Sequence, residues 1–140
     1  MTGRKEVQGK TGLNIAVPIK QVPATGEVRT NPRTNSMVRE GIPSVINPND
    51  RNAVEAALLL KEKHGGSVVA ITMGPPQAED ILLEVLAMGV DRAVLLTDRA
   101  FAESDTLVTA FVLCKAMEKL GAFDLVICGQ KTTDGETGHV

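Results

Sequence analysis

Four short apolar runs, spaced by segments long enough to be helices, constrain this chain more than any other feature. They are Leu13 to Ile19, Val68 to Met73, Ala93 to Thr97 and Leu125 to Cys128, mostly rich in Val, Ile or Leu and bounded by polar residues or glycine. A strand with one face in water alternates apolar and polar residues, whereas a strand covered on both faces is apolar almost without interruption. The runs therefore predict strands buried on both faces of a parallel sheet. Parallel neighbours cannot be joined by a tight turn, and each crossover takes a dozen residues or more, usually a helix.

The intervening segments carry helix signals. Asn47 stands at an N-cap position, Pro48 suits the first helical position because its missing N–H would be unpaired there, and Asp50 is placed to close a capping-box-like turn. This helix is predicted to run to about His64, before Gly65-Gly66, with Val54, Ala57 and Leu58 on its apolar face. The second starts at Pro75-Pro76, has Glu79 and Asp80 in its first turn, and repeats Ala78, Ile81, Leu82 and Val85 at helical spacing before Gly89. The third starts near Ser104-Asp105, with Leu107, Ala110, Phe111 and Cys114 predicted to point inward and Leu113, Met117 and Leu120 widening the stripe. Strands alternating with helices in this order predict an α/β fold with a doubly wound, mainly parallel sheet.

One interval breaks the rhythm. From Ala24 to Ile46 the chain is rich in Thr, Asn, Pro and Gly, and two extendable pieces, Glu27 to Thr30 and Met37 to Arg39, flank the turn-rich Asn31 to Ser36. This predicts a hairpin insertion outside the main sheet. Its Arg29, Arg33 and Arg39 suit a protein interface, since the core does not need them. Residues 1–12 are polar and predict a flexible N-terminal extension to a domain spanning 13–140. The chain stops at Val140 in a polar loop with no helix after the fourth strand, and so reads as truncated.

Composition excludes several classes. There is no tryptophan or tyrosine and aromatic residues are 2%, too few to stack on bases, so nucleic acid is not an expected partner. No stretch approaches the 18 apolar residues of a membrane span, and no apolar signal-peptide core follows Met1, which predicts a cytoplasmic protein without membrane insertion. The two cysteines, Cys114 and Cys128, sit in apolar runs and read as buried free thiols. Charge is unevenly spread: residues 1–64 hold ten Lys and Arg against six Asp and Glu, while 65–140 hold five against eleven, an asymmetry that suits docking to a partner.

In doubly wound sheets ligands lie beyond the carboxyl ends of the strands, which directs attention to Pro18-Ile19-Lys20, to Met73-Gly74, to Thr97-Asp98-Arg99 and to the loop after the fourth run, with the Asn47 to Asp50 cap nearby. That loop reads Gly129-Gln130-Lys131-Thr132-Thr133-Asp134-Gly135-Glu136-Thr137-Gly138-His139-Val140. Its glycines, hydroxyls and lysine can present N–H and O–H groups to phosphate, although a plain surface loop has the same composition. No Walker A spacing and no GxGxxG occurs. On spacing alone Asn47 serves only its helix, and Lys20 reads as a solvated charge, although its place after a strand end also allows a phosphate or an acidic partner. His64 and His139 have no ligand-spaced partners for a metal, and Ser67, Ser104 and Cys128 lack the setting of a nucleophile, so hydrolytic catalysis is not expected.

Several blocks together resemble one family. Ile19-Lys20-Gln21-Val22-Pro23, Gly41-Ile42-Pro43-Ser44-Val45-Ile46-Asn47-Pro48-Asn49-Asp50, Ala53-Val54-Glu55-Ala56-Ala57 and Leu60-Lys61-Glu62-Lys63 resemble the beta subunit of electron transfer flavoproteins. Gly74-Pro75-Pro76-Gln77, Ala87-Met88-Gly89-Val90-Asp91-Arg92-Ala93 and Asp134-Gly135-Glu136-Thr137 extend the likeness across residues 13–140. The resemblance implies a Rossmann-like adenine nucleotide-binding fold. It further implies an electron-relaying rather than enzymatic role within an alpha/beta heterodimer. The partners it implies are the electron transfer flavoprotein alpha subunit and an acyl-CoA-type or other dehydrogenase, with NADH as a candidate donor. It places cofactor contacts on Pro18, on Asn47, Pro48, Asn49 and Asp50, on Met73, and on Gly129 to Val140. Members that hold AMP tend to Asp-Asp-x-Asn in the last loop, whereas Asp134-Gly135-Glu136-Thr137 is similar to the electron-bifurcating, FAD-holding type, which favours FAD over AMP. Gln130-Lys131 reverses the usual Lys-Gln, and His139 stands where Gln is common. The competing expectation is a universal-stress-type ATP- or AMP-binding regulatory domain, whose Gly-rich phosphate signature is missing from the sequence.

Overall fold

All four apolar runs form strands of a single parallel sheet. The computed structural model describes residues 11–24, 29–33, 37–38 and 43–140, with the backbone alone at 29, 30, 37 and 38. In chain order the elements are β1 (Leu13–Pro18), β2 (Gln21–Pro23), β3 (Arg29–Thr30), β4 (Met37–Val38), β5 (Ser44–Ile46), α1 (Pro48–His64), β6 (Gly66–Met73), α2 (Glu79–Met88), β7 (Arg92–Leu96), α3 (Thr106–Leu120) and β8 (Leu125–Val126). The main sheet has the order β7-β6-β1-β8. The insertion stays outside it: β2 pairs antiparallel with β5, and β3 with β4. The β3–β4 pair is the hairpin expected from Glu27 to Arg39, of which Glu27, Val28 and Arg39 lie outside the described residues. The expected N-terminal extension lies outside them too, except for Thr11 and Gly12.

Side chains alternate across the sheet and divide the core into two layers. Ile15, Val17, Val68 and Ala70 face α1 and α2 through Val54, Ala57, Ile81, Leu82 and Val85. Ala16, Val69 and Ile71 face α3 through Leu113, with Met117 and Leu120 packed alongside. This two-faced cover is the reason the central runs contain no polar alternation. At the ends of β1 and β6 opposite the candidate ligand loops, Gly12 (φ 97°) and Gly66 (φ 108°) pass so closely that a Cβ on Gly66 would fall on the Leu13 backbone. Gly66 is thus required by strand contact as well as by its positive φ, while Gly65 ends α1.

The expectation of burial on both faces holds for β1 and β6 and fails at the edges. β7 is mostly half-buried, and both residues of β8 are exposed, because each has a neighbouring strand on one side among the described residues. The reading of α3 also needs correction. Asp105 caps it as expected, its carboxylate accepting the Val108 N–H at 2.8 Å. However, Leu107 and Phe111 are 76% and 60% exposed, and Cys114 is exposed, while Leu113 is buried. The helix carries two apolar stripes, and periodicity could not say which one the sheet would take. Cys128 is likewise exposed, beyond the short edge strand. The two stripes predict different mutational costs: Leu113→Ala should destabilise by about 2 kcal/mol and Phe111→Ala by about 0.5 kcal/mol or less, read from urea midpoints. Equal losses would mean that α3 packs through both stripes.

Candidate functional site

The chain leaves β1 to build β6 and then β7 on one side, and β8 returns on the other side of β1. Successive crossovers therefore diverge between β1 and β8, and the carboxyl ends of these two strands open the crevice where such sheets place ligands. Three segments meet there: Pro18 to Lys20 after β1, the amino end of α1, and the loop after β8. Gly129 lets them meet. A Cβ on it would collide with the Asp50 carboxylate and lie 2.8 Å from the Asn49 carbonyl carbon and 2.9 Å from the Asp50 nitrogen.

Side chains from the amino end of α1 reach into the loop backbone. Asn47, wholly buried, donates from Nδ2 to the Lys131 carbonyl at 3.0 Å and accepts the Thr133 N–H at its Oδ1 at 3.2 Å. Asn49 Nδ2 donates to the same Lys131 carbonyl at 2.8 Å. Lys20 ties the strand end to both other segments. Its carbonyl accepts the Asn47 N–H at 2.9 Å, its own N–H donates to the Asp50 carboxylate at 2.8 Å, and its Nζ donates to both oxygens of Asp134 at 2.9 Å. Within the loop, Asp134 also accepts the Gly135 N–H at 2.7 Å, Glu136 N–H donates to the Thr132 carbonyl at 3.1 Å, and Lys131 faces Glu136 at 3.6 Å. Glu136 (φ 53°) and Gly138 (φ 62°) both take left-handed backbone.

The two carboxylates are pushed in opposite directions. Burial dominates at Asp50 and raises its pKa, against hydrogen bonds from Asn47 and the Lys20 N–H and the Lys20 charge. At Asp134 burial also raises, but hydrogen bonds from Lys20, Thr132 and Gly135, with the Lys20 charge, outweigh it together and hold the carboxyl below its ordinary value. A depressed carboxylate stabilises the fold above the ordinary value of 3.8, and that contribution is lost as pH falls through the lower folded-state value. The raised Asp50 has the opposite sign, gaining stability on protonation, so total stability alone cannot isolate the pair. Comparison with Asp134→Asn does. The wild type should be more stable by about 1 kcal/mol near neutrality, discounted because the Lys20 side chain is half exposed. This difference should shrink as pH falls below 3.8 and vanish once pH has passed the lower folded-state value. A difference constant with pH would mean that the Lys20–Asp134 pair contributes nothing.

Most of the expected site residues come together. Pro18, Asn47, Pro48, Asn49, Asp50 and Gly129 to Asp134 surround the crevice, and Gly135 to Val140 continue outward as an exposed segment. Met73, at the end of β6, is one strand away and packs its side chain with the α3-side core. Asn47 occupies the N-cap position, but its side chain makes no capping bond, and Asp50 receives the Lys20 N–H instead of closing a capping box. Local helix chemistry is overridden here by contacts 30 or more residues away. Lys20, half exposed, has the acidic partner that its strand-end place allowed, Asp134, in a contact across 114 residues whose partner no local pattern singles out. Cys128, read as a strand-interior residue, lies near the crevice, its thiol pKa raised by partial burial and by the Asp50 charge. Among the described residues no group of three or more His, Cys, Asp or Glu is arranged to hold a metal. No described helix is long and apolar enough to cross a membrane.

Residues 34–140 match the electron transfer flavoprotein domain. The chain belongs to the electron transfer flavoprotein family. It is 56% identical over 128 residues to the electron transfer flavoprotein subunit beta of Thermoanaerobacterium thermosaccharolyticum, covering 91% of this chain and 49% of that protein. It is 52% identical over 132 residues to protein FixA of Azorhizobium caulinodans, covering 91% and 47%. With the caffeyl-CoA reductase–Etf complex subunit CarD of Acetobacterium woodii the identity is 49% over 129 residues, covering 91% and 49%. The chain thus spans about half the length of these relatives.

Proposed function

We propose that this electron transfer flavoprotein chain serves in a beta subunit, holding an adenine-containing cofactor at the crevice between β1 and β8 and relaying electrons within a heterodimer with an alpha subunit. The observation that carries the reading is the convergence at that crevice of the β1 end, the amino end of α1 and the Gly129 to Val140 loop. The residues suit a nucleotide. Gly129 excludes any side chain where the loop meets the helix, and Thr132, Thr133 and Thr137 add hydroxyl donors. Lys20 and Lys131 already face Asp134 and Glu136, so phosphate would be met by N–H and hydroxyl groups in a site of balanced charge.

Within this reading FAD is favoured over AMP, on the Asp134-Gly135-Glu136-Thr137 sequence. Bound FAD would supply one- or two-electron redox chemistry that no side chain of the crevice can perform, and the protein's part is to bind and orient it. The A. woodii relative, named as a subunit of a caffeyl-CoA reductase–Etf complex, supports docking to an acyl-CoA-type dehydrogenase, and a nicotinamide donor such as NADH fits a bifurcating role. The test is to isolate the native heterodimer, denature it and assay the supernatant by absorbance and chromatography. Two FAD per heterodimer and no AMP is the expected result. One FAD with one AMP would overturn the bifurcating reading, and no nucleotide beyond a single flavin would overturn the site.

A further inference from the structure

The Asn47 side chain is wholly buried, and its amide is used by the molecule itself. It meets the loop as one edge of a peptide unit meets another, donating to the Lys131 carbonyl and accepting from the Thr133 N–H. Both partners are backbone groups, so the contact specifies the path of the loop independently of its side chains. A residue that served only to start the helix would instead turn its oxygen toward the first-turn N–H groups, and Asn47 makes no such bond. The helix still begins there, because the Asn47 carbonyl accepts the Asp50 and Arg51 N–H groups at 2.9 and 3.0 Å and Pro48 fixes the first turn.

We infer that Asn47 is a positioning residue: its side chain holds Lys131 to Thr133 in the ligand-ready path. The inference rests on the nucleotide-binding reading for what the loop is ready to receive, but the bracket itself is made by the chain's own groups. Holding the loop beforehand removes its ordering cost from the binding step. Asn49 reinforces only the carbonyl half of the bracket, through its own bond to Lys131. Thr133 N–H therefore reports on Asn47 specifically.

Asn47→Ser separates the two roles, because serine is as good an N-cap as asparagine yet too short to reach the loop. In the natively expressed protein stripped of nucleotide, Asn47→Ser should lower the melting temperature, since buried hydrogen bonds are lost, yet keep α1 folded, its amides protected as in the wild type well below that temperature. It should speed exchange of the Thr133 amide by about tenfold, the loss of a single hydrogen bond. Asn49→Ala should leave Thr133 protected. AMP and FAD titrations should then show about tenfold weaker binding to Asn47→Ser, with Thr133 protection restored at saturation. Unaltered Thr133 exchange in Asn47→Ser, or an unprotected Thr133 amide in the wild type, would overturn the inference, and the second result needs no variant. Faster exchange with unchanged affinity would overturn the positioning role. Wild-type protein that binds neither nucleotide while Thr133 exchange responds as expected would instead refute the nucleotide reading and leave the bracket in place.

Discussion

Gly129→Ala is expected to destabilise the protein by about 3 kcal/mol, the upper end of the usual cost of forcing a group into packed space. The added methyl would press on the Asp50 carboxylate and on the backbone of Asn49 and Asp50, and backbone cannot rotate aside as a side-chain tip can. Relief requires moving the loop away from α1, which would break the hydrogen bonds of Asn47 and Asn49 to Lys131 and of Thr133 to Asn47. Stability and nucleotide binding should therefore fall together. Urea unfolding followed by circular dichroism, with ligand titration on the same sample, checks both. A variant of wild-type stability would show that the strand end and the helix do not approach as closely as described.

Gly135→Val should separate what Gly129→Ala joins. Gly135 does not take a left-handed φ, and a Cβ there would meet only the Thr132 hydroxyl, at an ordinary 3.6 Å. The fold itself does not require this glycine, so stability should change by about 0.5 kcal/mol or less. On the proposed reading, the bare backbone at 135 admits the close approach of a pyrophosphate. The branched side chain should then remove one flavin per heterodimer and leave the flavin shared with the alpha subunit. Flavin counting by absorbance after denaturation, beside an unfolding curve, gives both numbers. Retention of both flavins would remove Gly135 from the binding surface, and a large loss of stability would mean that the loop packs more tightly than its neighbours indicate.

The contrast between these glycines marks how far residue types alone reach. Both look alike in the sequence, as glycines of a polar loop after an apolar run. Only the approach of α1 distinguishes them, and that approach joins residues 79 positions apart. The exposure of Cys128 and the identity of the Lys20 partner escape the sequence for the same reason. A strand-end lysine shows no local sign of Asp134, and an apolar run does not disclose which of its faces the described residues leave uncovered.

By itself the sequence determined the four strands of the main sheet, the three helices and their parallel arrangement, together with an insertion outside the sheet, since each follows from local periodicity, caps and turn residues within a few positions, whereas the β2–β5 pair carries no such signal. The continuous runs at β1 and β6, the stop at Gly89 and the Asp105 cap are such features. The strand-end rule likewise points to Pro18 to Lys20 and the Gly129 loop, which meet in the fold, and to Met73 and Thr97 to Arg99, which follow strands on the other side of β1. Tertiary structure alone decided the order β7-β6-β1-β8, which α3 stripe faces the core, and which polar groups pair across the crevice. Those outcomes depend on long-range packing. Where two apolar stripes or several polar partners are locally equivalent, burial and the pairing of buried hydrogen-bonding groups select among them, and neither is defined until the chain has closed on itself.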